Sequence, residues 1–325
     1  MDIREIREYL SGPMGRVAVQ AEEVLQSDIE LLDATNRSLL SQGGKRLRPM
    51  LSLLAAGACG GINDDSVRFA AASELMHNAT LLHDDVVDGA THRRGMPTVM
   101  SLLSGPASVL LGDYWLVKAV KCILDASRDS ERVIRLFAKT LSDLAEGELL
   151  QMQRSAKADT SREDYFRIIY SKTASLFEVA VLSGAISAGA PEEWTAALVA
   201  YARKLGLAFQ VKDDILDYAG DGAVGKPLGI DLREGKVTLP LLCALETVSP
   251  EEAAEVRKMV VGIDGNPALE ERIRTFVRER DGVAAAAREM DGLLDEAVSA
   301  LDELPSSVEK TYLAKLARFV GERTF

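Results

Sequence analysis

The chain has 325 residues and a formal net charge of −12, from 38 basic and 50 acidic side chains. So acidic a chain is a poor nucleic-acid binder, and any anionic ligand must be held by a local cluster of Lys and Arg or by metal ions. Apolar residues make up 47%, enough for a sizeable core, and the low aromatic content of 5% favours helices over β-sandwiches.

Helical periodicity dominates from end to end. The N-terminal MDIREIREYL is charged and amphipathic, without the apolar core of a signal peptide. Residues 64 to 88 form one predicted helix, with Asp64, Asp65 or Ser66 as its cap. The longest uncharged run, Gly95 to Gly112, contains Pro97, Gly105 and Pro106 and is a poor membrane span. Residues 130 to 155 form another helix. Ser161 and Asp164 form a capping box opening a helix towards Gly189. Pro191 starts the next, which continues to about Tyr218. Ser249, Pro250 and Glu252 mark a further start. Residues 281 to 302 and 307 to 322 close the chain. There is no convincing alternating strand and no long linker. The expectation is a single all-α domain over residues 1 to 325, a large bundle of long helices around a central cavity. Cys59, Cys122 and Cys243 are far apart in apolar contexts and read as buried free thiols suited to a reducing cytoplasm.

The chemistry gathers in a few segments. In LLHDDVVDGATHRRG, Asp84 and Asp88 share one helix face, with Asp85 about a third of a turn away. Like charges near an apolar interior are costly unless a cation neutralises them. The donors are hard oxygens, which favours Mg²⁺ over zinc. FQVKDDILDYAGD repeats the pattern with Asp213, Asp214 and Asp217. Two such sites could face each other across a cavity and hold several Mg²⁺ ions around a diphosphate. Basic residues cluster nearby: Lys45, Arg46 and Arg48 in GGKRLRP, then Arg93 and Arg94. Lys172 and Thr173 lie in SKTASLF, and Lys226, Arg233 and Lys236 in GKPLGIDLREGKVTLP. Acid motifs beside separate basic sets suggest two diphosphates, one bound to metal and one held by side chains.

As an ordered set over roughly residues 40 to 245, these motifs resemble the trans-isoprenyl diphosphate synthases, the polyprenyl synthetases. The resemblance implies that Asp84, Asp85, Asp88, Asp213, Asp214 and Asp217 bind Mg²⁺ and an allylic diphosphate. It implies that Lys45, Arg48, His77 and Arg94 bind isopentenyl diphosphate, and that Arg93, Lys172, Thr173, Gln210, Lys226 and Lys236 contact the allylic substrate. His83 is expected to be structural and Lys212 solvent-facing. Arg323 is a candidate for a C-terminal basic residue that binds substrate in some relatives, although the motif match there is too weak to carry a role. The implied reaction is ionisation of the allylic diphosphate, head-to-tail attack by isopentenyl diphosphate, and proton loss.

The growing chain would enter the bundle past Ala79 and Thr80. Short-chain relatives commonly place a bulky aromatic here. Both residues are small, which predicts a medium- to long-chain all-trans product such as octaprenyl diphosphate, for a quinone side chain. Met76 comes next and could narrow the channel, while Tyr114, Trp115 or residues near Cys122 could form its floor. The alternatives are a shorter farnesyl or geranylgeranyl product limited by another residue, or a catalytic subunit of a heteromeric synthase. A terpene cyclase would usually replace the second acid motif, and a metal phosphohydrolase would need more than the three histidines present. The resemblance further implies a homodimer, and peripheral membrane contact is compatible with a greasy product.

Overall fold

A computed structural model describes residues 3–42, 44–93, 95–219, 229–263 and 265–323. The first half comprises α1 (Arg4–Tyr9), α2 (Ser11–Leu25), α3 (Glu30–Ser41), α4 (Leu47–Ala58), α5 (Asp64–Val87), α6 (Val99–Leu102), α7 (Gly105–Leu124) and α8 (Ser130–Ser155). The second half comprises α9 (Arg162–Ile169), α10 (Ser175–Ser187), α11 (Glu192–Ala219), α12 (Ile230–Arg233), α13 (Leu239–Leu245), α14 (Pro250–Val261), α15 (Pro267–Glu279), α16 (Gly282–Ala300) and α17 (Val308–Glu322). The all-α expectation holds, with one small exception. His92–Arg93 (β1) and Met96–Pro97 (β2) form a two-residue antiparallel hairpin, too short to leave a pattern in sequence.

The core forms where helices are apolar on every side. In α4 and α10 nearly every residue is buried, and α5 buries residues all round its axis, as central helices must. α5 packs on α4, α7 and α10, and α11 packs on α10 and α16. At Gly184 of α10 an added Cβ would collide with the Ser52 carbonyl of α4, so glycine permits that helix pair to approach closely. These central helices bring the ends of α5 and α11, and so both acid motifs, to one end of the bundle.

Helix boundaries follow local chemistry. α8 spans the predicted residues, and α9 opens on the Ser161–Asp164 capping box. The cap of α5 is corrected. Asn63, not a residue from 64 to 66, accepts the Ser66 N–H at 2.9 Å, while the Ser66 hydroxyl accepts the Asn63 N–H. The predicted helix from Ser161 to Gly189 is interrupted at Tyr170–Ala174 by a π-helical turn. Cys59, Cys122 and Cys243 are buried free thiols, as expected. Among the described residues, no helix is long and apolar enough to cross a membrane.

Candidate active site

The first acid cluster ends α5. Asp84 lies in its last turn and Asp88 is the C-cap, where the helix dipole opposes negative charge. Neither side chain has a hydrogen-bond or ion-pair partner among the described residues. Burial pushes the Asp84 carboxyl up to about 6. Lys172 and Arg93 oppose that shift, and Glu148 and Asp88 reinforce it. Asp88 also moves up, first through desolvation, with Lys236 and Lys172 opposing and Glu234 and Glu148 adding. Asp85 behaves differently. It is buried and accepts from Arg93 Nε at 2.7 Å. The hairpin supplies that arginine, turning at Gly95, whose φ of 79° suits glycine.

The second cluster ends α11. Asp214 is buried and accepts from Tyr165 Oη at 2.6 Å and Gln210 Nε2 at 2.9 Å. Burial drives its carboxyl well above the ordinary range, Asp231 adds to the shift, and those two hydrogen bonds oppose it. Gln210 Oε1 in turn accepts from Thr173 Oγ1 at 2.9 Å. One chain of bonds therefore links the π turn to the second motif. Asp217 accepts backbone N–H groups of Ile230 and Asp231 at 3.1 and 3.3 Å. Asp213 pairs with Arg323 Nη1 at 2.8 Å.

Lys172 and Lys236 join the two clusters electrostatically. Lys172 acts on Asp84 and Asp88 and forms an ion pair with Glu148. Lys236 acts on Asp88, pairs with Glu234, and lies 3.9 Å from Asp231. Burial lifts Asp231 to about 6. Burial would lower the Lys236 ammonium, but Asp231 and Glu234 outweigh it and hold it above its ordinary value. An open cleft of about 580 Å³, its solvent-filled mouth included, is lined by Tyr165, Lys172, Gln210, Asp214, Asp231 and Lys236, among others, and by none of the first-motif aspartates. Another hollow of about 620 Å³ opens between α2, α3, α4 and α5; it is lined by Arg46 and none of the six motif aspartates.

The structure thus brings Asp84, Asp88, Lys172, Thr173, Gln210, Asp214 and Lys236 together. Arg94 and Lys226 lie outside the described residues. Lys45, Arg48 and His77 are half-buried near the start of α4 and along α5, with the Arg48 guanidinium 5.0 Å from the Phe177 ring centre. Arg46 donates to the Leu40 carbonyl and Arg233 pairs with Glu270 at 3.0 Å, both structural contacts. His83 packs against Gly112 and lies 3.3 Å from Asp113, as a structural residue would. Lys212 is half-buried, not solvent-facing. Desolvation, helped by the Arg323 charge, lowers its ammonium. Ala79 and Met76 are fully buried, whereas Thr80 is half-buried and donates to the His77 carbonyl. Trp115 is buried and donates to Asn36 at 2.8 Å.

Tyr165, Glu148 and Asp231 were not singled out from the sequence. A lone Tyr or Glu on a helix carries no signal, but Asp231, in the Gly-rich basic segment, stands near enough to the second motif to have drawn notice. Arg323 proves well anchored. It donates to the Phe209 carbonyl at 2.7 Å, and its guanidinium lies 4.0 Å from that ring centre.

The polyprenyl synthetase family model matches residues 29–277. The chain belongs to the polyprenyl synthetase family. It is a prenyltransferase that elongates prenyl diphosphates. Octaprenyl diphosphate synthase of Escherichia coli (strain K12) is 38% identical over 99% of both chains. A short chain isoprenyl diphosphate synthase of Methanothermobacter thermautotrophicus is also 38% identical, over 91% of this chain and 92% of its own. A crystal structure of polyprenyl synthase from Caulobacter crescentus CB15, complexed with calcium and isoprenyl diphosphate, superposes with a TM-score of 0.91. It shares 36% identity and covers 100% of this chain and 98% of its own. This prenyltransferase therefore has the isoprenoid synthase fold of its relatives, as its motifs implied.

Proposed function

We propose that the enzyme adds isopentenyl diphosphate head to tail onto an allylic diphosphate. The product is a medium- to long-chain all-trans polyprenyl diphosphate, with octaprenyl the expected length, for a quinone side chain. The observation that supports the reading is that Lys172 and Lys236, which line the cleft beside Asp214, also act on Asp84 or Asp88 of the first motif, with Ala79 fully buried deeper in the same helix. Asp84 and Asp88 are oxygen donors without partners among the described residues, which suits a hard divalent cation. Among the described residues no three acids, histidines or cysteines converge on one point. Mg²⁺ takes one or two carboxylates and completes its shell with waters and phosphates. Asp84, Asp85, Asp88, Asp213, Asp214 and Asp217 would hold it. When bound, Mg²⁺ supplies Lewis-acid stabilisation of the leaving diphosphate.

The protein's own groups do the remaining work. Lys172, Thr173, Gln210 and Lys236, with Arg93 and Lys226, hold the allylic diphosphate and stabilise charge as its C–O bond breaks. Lys45, Arg48 and His77, with Arg94, hold isopentenyl diphosphate so that its double bond meets the carbocation. The departed diphosphate takes the proton, and no nucleophilic side chain is required. Buried apolar walls keep water from the cation.

Relatives of equal identity carry octaprenyl and short-chain names, so product length must rest on particular residues. Ala79 lies five residues before Asp84, and Met76, Ser73 and Ala72 continue inward, all buried. None of these four α5 positions is itself aromatic. A shorter product is the second reading, favoured by Met76, whose side chain fills the next turn. The chain is also read as a cytoplasmic homodimer. Leu110, Val117 and Leu124 recur every seven residues along α7 and are 58–70% exposed, an apolar stripe that suits a second copy.

Incubation with Mg²⁺, labelled isopentenyl diphosphate and a series of allylic primers, followed by sizing of the dephosphorylated products, tests the reading. The expected result is a chelator-sensitive ladder ending at octaprenyl. No elongation with any primer sinks the activity, and a ladder ending at farnesyl sinks the length. Size-exclusion with light scattering should show a dimer that Leu110→Glu dissociates; a wild-type monomer would rule the dimer out.

A further inference from the structure

The π turn at Tyr170–Ala174 presents Lys172 to the site, and two glycines grip it. A Cβ on Gly147 of α8 would lie 2.5 Å from Ser171 Cβ and 3.3 Å from Lys172 Cγ. On the opposite side, a Cβ on Gly206 of α11 would lie 2.5 Å from Ala174 Cα. The turn is wedged between two backbones, and single π turns recur at functional sites. Close approach at Gly147 also brings the next residue, Glu148, against the turn, where its carboxylate pairs with the Lys172 ammonium. Both side chains are mostly buried, at 22% and 27% exposure. Both charges also bear on Asp84 and Asp88.

We propose that Glu148 is a positioning residue that holds Lys172 off the Asp84–Asp88 pair and thereby keeps that pair open to the divalent cation. The inference rests on the reading of Asp84 and Asp88 as metal-binding. The physical reason is competition. Lysine is a compact charge on a flexible stem, and two carboxylates without partners among the described residues, Asp84 half-buried and Asp88 exposed, act on it. Collapsed onto them, it would have to be displaced by every entering ion. Glu148 gives the ammonium a third carboxylate on a separate helix. The cluster of three acids and one lysine retains two negative charges, matching a divalent ion. When a diphosphate arrives, Lys172 has a stronger anion to turn to, still within reach of its stem.

The test is Mn²⁺ binding to the full-length protein without substrate, followed by electron paramagnetic resonance, in wild type, Glu148→Gln, Lys172→Gln, the double variant, Glu148→Asp and Asp84→Asn. Circular dichroism checks each fold. The expected result is about tenfold weaker Mn²⁺ binding in E148Q, the scale typical when a residue supporting metal ligands is lost. K172Q should bind at least as well as wild type, the double variant should return to the K172Q level, and E148D should keep wild-type affinity. Unchanged affinity in E148Q overturns the proposal. So does equal weakening in E148Q and the double variant, which would make Glu148 a direct ligand. Unchanged affinity in D84N, by contrast, removes the underlying assignment of the aspartates.

Discussion

Asp65 and Asp84 sit at opposite ends of α5, and their surroundings are opposite too. Asp65 is buried and fully engaged. It accepts from Ser127 N at 3.0 Å, Ser127 Oγ at 2.7 Å and Arg128 N at 3.1 Å, with Arg68 3.4 Å away. Burial alone would raise its carboxyl, but those bonds outweigh it and hold it below the ordinary range. The helix dipole at this N-terminal end also favours the charge. Asp84 has the unfavourable end of the dipole, a desolvated position and no such partners, and its carboxyl rises to about 6. One carboxylate is satisfied by the fold. The other has no partner among the described residues, a cost in stability that the proposed cation-binding role would account for.

The sharpest way to break this comparison is to remove each charge. Asp84→Asn should lower kcat/KM for elongation by about 10²–10³-fold, the scale of losing one electrostatic contact to a developing anion, with the helical circular dichroism unchanged. A loss below about tenfold would remove Asp84 from the site. Asp65→Asn should do the reverse. Leaving the Ser127 and Arg128 donors poorly paired should cost about 2–4 kcal/mol of unfolding free energy, with kcat per folded molecule unaltered. Urea titration beside a steady-state assay separates the two outcomes.

How far sequence alone reads this site depends on range. The Ser161–Asp164 box and the Ser249–Pro250 start are local events, three residues across, and both stand where the sequence puts them. The aspartates are legible because a spacing of four on a helix is itself the geometry. The π turn is not, because Tyr170–Ala174 carries no glycine or proline to mark a break in the helix, and the close approaches of Gly147 and Gly206 to it come from other helices. Nor are the pairs Tyr165–Asp214, Glu148–Lys172 and Arg323–Asp213 legible. Each joins residues on different helices, with a separation in sequence that no periodicity encodes. The α5 cap lies before the expected Asp64 to Ser66 because Asn63, Asp64, Asp65 and Ser66 are all competent caps, and only the bond to Ser66 N selects among them.

A smaller effect sharpens the comparison through pH. A carboxyl raised in the folded state binds more protons folded than unfolded between pH 3.8, its ordinary value, and about 6. Stability carried by the protonated form is therefore present below pH 4 and lost as pH rises through 6. Asp84→Asn should thus stabilise the metal-free protein at pH 7 by up to about 3 kcal/mol, and the gain should fade towards pH 4. Asp65→Asn has the opposite sign. The wild-type advantage persists at pH 7 and shrinks only as pH falls below the ordinary carboxylate range, because that carboxyl is lowered. Melting temperatures at pH 4.5 and 7 in chelator decide it; a pH-independent difference for Asp84→Asn would show that its burial carries no electrostatic cost.

Between these two ends lies Ala79, fully buried five residues short of Asp84. It tests where along α5 packing gives way to function. Ala79→Tyr inserts a large ring into a site with no exposed surface, and overpacking of a filled core costs about 1–3 kcal/mol. If the position faces solid core, the variant should lose stability and make the same products. If it faces the channel, the ring enters empty space, the stability cost stays near the low end, and the longest product shortens by several isoprene units. The rate of the first addition should then change only a few-fold, since Asp84 and its neighbours above are untouched. Product sizing beside urea titration reads both quantities on one preparation. An unchanged product with reduced stability would place Ala79 with Asp65, among residues that serve the fold alone.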